Sequence, residues 1–367
     1  MSEKILENIN RIPVRTWNWL GVNDISIDGV TPSIEPYELN IIKNPENQIK
    51  IEAMDDKKNL DPLLRNFDYN SVSKELSELA KEQYNSGIFA KIEKNQKTKE
   101  PVFIEYDLKD GQNIINDNNG IIAEEGSEST FIFRYDSVDH SESFHNGLIR
   151  IYGKKDATIN LVKVQSLSDE STHLHGCICK LEENAKVNFI LIELGGKSSA
   201  TNVCTDLKGD NSSITIRTVY LGDKERVLDI NYLVNHYGKE TMSDIEVKGA
   251  LLNKGKKTFR GTIDFKKGSR RSVGKEEEYA VLLSKDVKNK SVPVLLCTED
   301  DVSGEHAASA GKIDENKLFY LMSRGLREEE AKRLIVEANI SPILDLIPDD
   351  NTKAEIYDKI RRKLIYE

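Results

Sequence analysis

The sequence predicts a mainly β protein in which a repetitive, solenoid-like core lies between two helical regions. Three observations lead to this prediction. From residue 101 to about 312, β-rich runs alternate with Gly, Asn and Asp turns, and those runs recur at a nearly constant spacing. Apolar residues take helical spacings before and after this part of the chain. The boundaries that follow are 1–97, 98–312 and 313–367.

The N-terminal region, 1–97, is predicted to be mostly helical after an irregular start. Between residues 70 and 89 apolar side chains recur at spacings of three to five, and Gly87 stands where a helix end favours glycine. The apolar positions are Val72, Leu76, Leu79 and Tyr84. The run 91–101, KIEKNQKTKEP, is polar and aperiodic, which predicts a linker.

The core contains an internal repeat. Four β-rich runs align at a nearly constant spacing of about 28 residues, within the range typical of repeat architectures. The aligned positions are Phe131, Ile159, Val187 and Ile214. Each unit also carries a second β-rich run, so one unit is two strands and their turns. Such units bury their apolar faces by stacking, as in a β-solenoid. An antiparallel meander or sandwich would give the same spacing and remains an alternative.

The C-terminal region, 313–367, returns to helical periodicity in three apolar stripes separated by Pro342 and Pro348. The stripes are Leu318, Leu321 and Met322; Ala331, Leu334, Ile335 and Ala338; and Ile356, Ile360 and Leu364. Helices of this kind either cap the open end of a solenoid or dock a partner. The cap is the simpler interpretation.

Composition excludes several classes of protein. The chain carries 52 basic and 62 acidic side chains, a net charge of −10, which argues against a nucleic-acid scaffold. We expect no membrane span, because no stretch reaches the roughly 18 uninterrupted apolar residues that one needs. The N-terminus does not resemble a secretory signal, so the cytoplasm is the expected compartment. Four irregularly spaced cysteines predict reduced thiols rather than a disulfide framework.

Four metal-ligand types alternate from His173 to Cys179, and a strand would put them on one face. Same-face neighbours on a strand are about 6.5–7 Å apart, whereas two ligands of one zinc ion lie within about 4 Å. A packed interior with small thiols is therefore the favoured interpretation. Two of the four could still bind a metal ion with help from an adjacent coil.

A phosphate-binding loop is suggested only in part by the run Gly195 to Ser198, GGKS. Leu191 occupies the place of the first glycine of such a loop, and the residues that follow are strand-like rather than helical. We therefore expect a turn and no ATP site. The acidic run 299–301 and the basic run 361–363 are expected to be solvated. No catalytic residues are predicted, and we expect no enzyme.

Three segments resemble the SufB/SufD family of iron–sulfur cluster assembly proteins. These are 297–348, which begins CTEDDVSGEHAASAGK, 243–265, SDIEVKGALLNKGKKTFRGTIDF, and the N-terminal RIPVRTWNWLGVN, which is most like the SufD branch. The resemblance implies a right-handed parallel β-helix with helical N-terminal and C-terminal regions. It also implies pairing with a SufB-like scaffold and docking of a SufC-like ABC-type ATPase by the C-terminal helices.

The same resemblance assigns residues. His306, in SGEHAAS, matches the family's histidine near the SufB–SufD interface, implicated in cluster formation or iron acquisition, and is the candidate metal ligand. Gly304 stands where some SufD proteins have cysteine, and Ala307 stands where SufB has a carboxylate, which favours SufD. We expect Cys297 to be a small buried hydrophobe. Candidate ATPase contacts in the C-terminal region are Tyr320, Arg324, Leu334, Ile343 and Leu346.

The leading hypothesis is therefore a non-catalytic, SufD-like scaffold subunit. No cofactor is expected to bind the isolated chain tightly, although an iron–sulfur cluster or iron would be held transiently at the SufB interface. One alternative is a scaffold that pairs with itself as a homodimer. Another, from a different class, is a β-helix enzyme acting on polysaccharides. Neither nucleic acid nor membrane is an expected partner.

Overall fold

A parallel β-solenoid of about eight turns forms the body of the chain. The computed structural model describes residues 5–365 except 17, 39, 55–60, 66, 68–70 and 139. Its strands are β1 Ile5–Ile9, β2 Ile25–Val30, β3 Asn40–Lys43, β4 Lys50–Ala53, β5 Ile88–Ile92, β6 Val102–Leu108, β7 Ile114–Ala123, β8 Glu128–Ser137, β9 Phe144–Gly153, β10 Thr158–Ser166, β11 Thr172–Leu181, β12 Lys186–Glu193, β13 Ser198–Leu207, β14 Ser213–Gly222, β15 Val227–His236, β16 Met242–Leu251, β17 Lys256–Phe265, β18 Ser272–Leu282, β19 Lys288–Cys297 and β20 Val302–Lys312.

The helices are fewer and lie at the two ends of the chain. They are α1 Pro62–Arg65, α2 Lys74–Glu82, α3 Glu315–Ser323, α4 Glu328–Leu344 and α5 Asp350–Ile365. Within the described residues, no helix combines the length and the apolar character that crossing a membrane requires.

Alternate strands build two nine-stranded sheets. From β5 onward the odd-numbered strands pair in parallel in one sheet and the even-numbered strands in the other. The solenoid prediction is confirmed, and the parallel pairing rules out the antiparallel meander. The repeat alignment needs one correction, because Phe131 pairs with Leu161 and Ile159 pairs with Ser129. The alignment was therefore displaced by two positions at this coil, and the period-2 alternation of strands hid the shift.

The turns from odd-numbered strands to the following even-numbered strands explain why Gly, Asn and Asp residues separate the β-rich runs. In each of these turns from β5 to β18, at least one residue takes a left-handed backbone conformation, which Gly, Asn and Asp adopt most readily. The positions are Asn95, Gly126, Asp156, Asn184, Asn211, Glu240, Gly268 and Arg271. Because such a turn recurs in every coil but the last, the turns hold the strands in register.

The N-terminal region differs from its prediction. Apart from α1, α2 and two three-residue 3₁₀ helices, the described residues up to 92 form strands and loops. Strands β3 and β4 pair antiparallel with β6 and β5 and extend each sheet by one strand. Helix α2 lies where a helix was predicted, and the Ser73 hydroxyl caps it by accepting from the Leu76 N–H at 3.1 Å. Gly87 does not end this helix; it lies where an added Cβ would overlap the Asn118 carbonyl.

The predicted linker 91–101 is part of the first solenoid coil. Lys97 forms a parallel bridge with Glu128, and the Thr98 N–H donates to the Glu128 carbonyl at 2.9 Å. A polar, aperiodic sequence is also what a solvent-facing turn needs, so composition alone did not separate the two cases. The predicted boundary at 97 therefore falls inside the solenoid, and β20 ends at Lys312.

The N-terminal segment is held on the outer face of the odd-numbered sheet by a buried cation. The Arg260 guanidinium donates to the carbonyls of Asn10, at 3.1 Å, and Val22, at 3.2 Å, and forms an ion pair with Asp229. The Asn10 side chain donates to the same carboxylate at 2.6 Å. Burial raises the pKa of Asp229 to about 6, so the carboxylate depends on these donors.

Helices α4 and α5 lie along the outer face of the even-numbered sheet. Their apolar side chains form one cluster with outward-facing residues of β8 to β18, and α4 packs against β14 and β16. The members from the two helices and the turn between them are Val336, Ile340, Ile343, Leu344, Ile347, Ile356, Ile360 and Leu364. The cap interpretation is wrong, because these helices cover the side of the solenoid and not its end.

Candidate site at the open end of the solenoid

The last coil leaves both sheets open. Among the described strands, β20 pairs only with β18, and β19 pairs only with β17. Nearly every side chain of β20 is exposed, from Ser303 to Ala310. A long strand with one free edge presents unpaired N–H and C=O groups and is a template for pairing with another chain.

His306 lies on this terminal strand. Its Cα is in register with Glu276 of β18, and neighbours in register on parallel strands point to the same side of the sheet. Since Glu276 is buried among the interior-facing residues, His306 continues the interior row by one position. It is exposed because no further coil covers it. The structure therefore places the predicted site residue at the mouth of the solenoid interior.

Glu276 is the buried acid beneath it. Its side chain is 3% exposed, and no hydrogen bond or ion pair joins it to any residue in the described ranges. The carboxyl lies against Gly261 of β17, where an added Cβ would overlap it. Burial raises the pKa of Glu276 to about 8. Sequence reasoning missed this residue, although KEEEYAV places three acids in a strand whose alternate positions must face the interior.

A second acid in the same layer has a partner. Glu278 forms a buried ion pair with Lys257 of β17, and Ala308 stands in register with Glu278 on β20. Burial lowers the pKa of Lys257 to about 7. The last covered layer of the solenoid therefore holds one compensated carboxylate and one carboxyl without a cation.

The neighbouring cysteine and acids have other roles. Cys297 is exposed, and its thiol donates to the Glu299 carbonyl at 2.9 Å, so the expectation of a small buried hydrophobe is wrong. β19 ends at this residue, in the last coil, where no further strand covers it. Glu299 accepts from the Gly268 N–H at 2.9 Å and so ties two turns together.

The alternate residues His173, His175, Cys177 and Cys179 face the solenoid interior, as predicted, whereas Leu174 and Ile178 face outward. Within the ranges that the structure describes, no group of three or more His, Cys, Asp or Glu residues could hold a metal ion. Burial lowers the pKa of His173 and of His175 well below the usual range and raises that of the Cys177 thiol. The histidines are thus neutral and the thiol is protonated, as expected of a packed core.

Charged residues that sequence reasoning missed surround these histidines. Lys163 can only donate, so it donates to His173 Nε2 at 3.3 Å, and it lies 2.6 Å from Glu193. His173 then donates from Nδ1 to His145 Nδ1 at 2.7 Å, and His145 donates from Nε2 to Asp117 at 3.1 Å. A single set of tautomers satisfies this chain. Its signal in the sequence was a lysine and a glutamate inside the apolar runs TINLVKVQS and KVNFILIE.

The candidate ATPase contacts separate into two groups. Tyr320, Leu334 and Leu346 are exposed, and the Arg324 guanidinium lies 5.3 Å from the centre of the Tyr320 ring. Ile343 is completely buried against the sheet, so its assignment as a partner contact is wrong. Helical periodicity showed which residues share a stripe but not which stripe the solenoid covers.

Comparison with known proteins decides the family. Residues 106–339 match the family model described as SUF system FeS cluster assembly, SufBD core domain. The chain belongs to this family. It is SufD-like: it is 26% identical over 282 residues to the iron-sulfur cluster assembly protein SufD of Bacillus subtilis, covering 76% of this chain and 64% of that protein.

Two further relatives agree. The chain is 26% identical over 240 residues to SufD of Escherichia coli, covering 65% of this chain and 57% of the relative. It is 26% identical over 266 residues to an iron-sulfur cluster assembly SufBD family protein of Staphylococcus epidermidis, covering 72% and 57%. The chain thus spans less than two thirds of each of these relatives. Family membership supports a role in SUF iron–sulfur cluster assembly.

Proposed function

We propose that the chain is a non-catalytic scaffold subunit of a cytoplasmic SUF machinery, pairing with a SufB-like subunit and docking a SufC-like ATPase. The single observation that carries the pairing is the free edge of β20 beside His306. The eleven residues of this strand pair with a neighbouring strand on one side only. Large, exposed apolar side chains lie on the adjoining strands; they are Val273, Tyr279 and Leu295.

The composition of β20 supports close approach of another chain. Its middle, GEHAASAG, contains small residues on both faces, so a second strand could approach the edge without large side chains in the way. Exposed apolar residues next to a free edge are typical of a protein interface. A second copy of this chain could take the same edge, which gives the homodimer as the competing outcome.

Docking of the ATPase is assigned to the outward face of α3 and α4. The buried apolar side chains of α4 and α5 already pack these helices on the sheet, so the exposed apolar side chains of this region are not needed for that packing. They are Phe319, Tyr320, Met322, Leu334 and Leu346, of which Phe319 was not anticipated. An apolar face with an arginine stacked on an aromatic ring has the composition of protein-binding surfaces.

His306 is assigned to the assembly step at the junction. An exposed imidazole on the pairing strand can bind ferrous iron or accept a proton from a partner's thiol. The iron or nascent cluster is the cargo of the scaffold.

The test is maturation of iron–sulfur enzymes in cells that depend on this pathway, measured beside the yield of the complex. His306→Ala should fold and assemble with its partners but fail to support maturation. Cys297→Ala, also in the last coil and exposed, is the matched control and should be nearly silent. Normal maturation with His306→Ala would contradict the assignment, and parallel loss of complex and maturation would indicate a structural role instead.

A further inference from the structure

We propose that Glu276 and His306 are two ligands of a ferrous-ion site at the mouth of the solenoid, which the pairing subunit completes. The completion by a partner rests on the proposed function. The assignment of the two ligands does not rest on the proposed function, because both residues belong to this chain.

Register makes a shared ion feasible. Adjacent strands of a sheet are about 4.8 Å apart, so Glu276 and His306 leave neighbouring backbones on the same side at that distance. Alternate residues along one strand are about 6.5–7 Å apart, the geometry that argues against a site within the run from His173 to Cys179. A carboxylate and an imidazole on adjacent strands can therefore converge on one ion where neighbours along one strand cannot.

The Glu276 carboxyl lacks the partner that its burial calls for. Buried carboxylates are stable when a cation or several hydrogen-bond donors compensate them. Glu278 has Lys257 for this purpose, whereas Glu276 has no such group among the described residues. A cation arriving at His306 would supply the missing charge.

The backbone opposite makes room for the carboxyl. Gly261 faces Glu276 from β17, and a Cβ there would lie within 2.5 Å of both carboxylate oxygens, closer than van der Waals contact allows. Glycine thus lets the acid lie deep in the layer next to the open mouth. One imidazole nitrogen and one carboxylate oxygen suit ferrous iron, and two protein ligands leave positions for a partner's groups.

The experiment is anaerobic equilibrium dialysis of the full-length chain against Fe²⁺. We expect one ion per wild-type chain, and an association constant at least about tenfold lower in Glu276→Gln and in His306→Ala. The double variant should lose little more than either single variant, because one missing ligand already disables a shared site. Gly261→Ala should produce the same loss, since it displaces the carboxyl while both ligands remain in the sequence.

Two matched controls separate ligand loss from altered folding or charge. Glu277→Gln changes the adjacent acid, which points out of the solenoid and pairs with Lys275 at 2.9 Å. Gly311→Ala adds a methyl group on β20, where it meets nothing within 4 Å. Both should bind Fe²⁺ like the wild type.

Four results would overturn the site: no Fe²⁺ binding by the wild-type chain, unchanged binding by Glu276→Gln, equal loss in Glu277→Gln, or additive losses in the double variant. Because the chain is measured alone, failure to pair with a SufB-like subunit would count against the proposed function and leave this result intact.

Discussion

Two leucines two residues apart, Leu344 and Leu346, test how the C-terminal helices are arranged. Leu344 is completely buried between α4 and the even-numbered sheet, whereas Leu346 is 56% exposed. Leu344→Ala removes a side chain that both the sheet and the helices enclose, so the site cannot collapse easily, and we expect a loss of about 3 kcal/mol in the free energy of unfolding. Leu346→Ala should change it by less than about 0.5 kcal/mol.

Urea unfolding followed by circular dichroism measures both variants. If the free energy of unfolding falls by a few kcal/mol per molar urea, Leu344→Ala should lower the urea concentration at the unfolding midpoint by roughly 1 M. Leu346→Ala should leave this midpoint unchanged. Co-purification with a SufC-like ATPase should show the opposite order, with the larger loss in Leu346→Ala. Equal destabilisation by the two variants would refute the packing, and full ATPase binding by Leu346→Ala would refute the docking surface at that residue.

Three further predictions concern buried polar groups. Arg260→Met should lower the free energy of unfolding by about 3 kcal/mol, because Asp229 would stay buried without its cation; a change below about 0.5 kcal/mol in urea unfolding would contradict this. Gly147→Ala should cost about 1–3 kcal/mol in the same assay, since its methyl group would overlap Asp117, and wild-type stability would show that this layer can relax. Native stability should fall with acid, because burial keeps three histidines neutral while the unfolded chain takes up their protons below about pH 6.5. Their pKa values are lowered in the fold, so the contribution of the three histidines is present above pH 6.5 and lost below it, by up to about 4 kcal/mol per pH unit. The raised pKa values of Glu276 and Asp229 act in the opposite direction and offset part of this loss, because the folded chain binds their protons first. Equal urea midpoints at pH 7 and pH 5 would contradict the prediction. The histidines are His173, His175 and His236, the last with a pKa lowered to about 3.

The sequence was most informative where structure repeats. The regular spacing of the β-rich runs predicted stacked two-strand units because every coil must place an apolar face inside and turn at the same point of its course. The first coil was not predicted, because its strands lack this regular spacing. β3 and β4 are four residues long, lie at the sheet edges and pair antiparallel, so neither the period nor a long alternation marks them.

The site was predicted in part. The motif around His306 located one candidate residue, but its relation to Glu276 depends on the register between β18 and β20, which the sequence does not show. Ile343 and Leu346 are both apolar and lie near each other in the sequence, and only the contact of α4 with the sheet separates a core residue from a surface residue. Cys297 was expected to be buried because free cysteines usually are, but the solenoid ends there and leaves it uncovered.

The most direct test of the pairing claim is the mass of the assembly formed when the chain is co-expressed with a SufB-like subunit and a SufC-like ATPase. Native mass spectrometry should find this 41.6 kDa chain in a hetero-assembly with both. Replacing Ala308 and Ala310 of β20 with lysine should abolish pairing with the SufB-like subunit, since lysine on an edge strand blocks strand addition, while ATPase binding persists. Glu170→Lys, in an exposed turn midway along the solenoid, should leave the assembly intact. A wild-type chain that stays alone, or that pairs only with itself, would contradict the account, as would full assembly by the lysine variant.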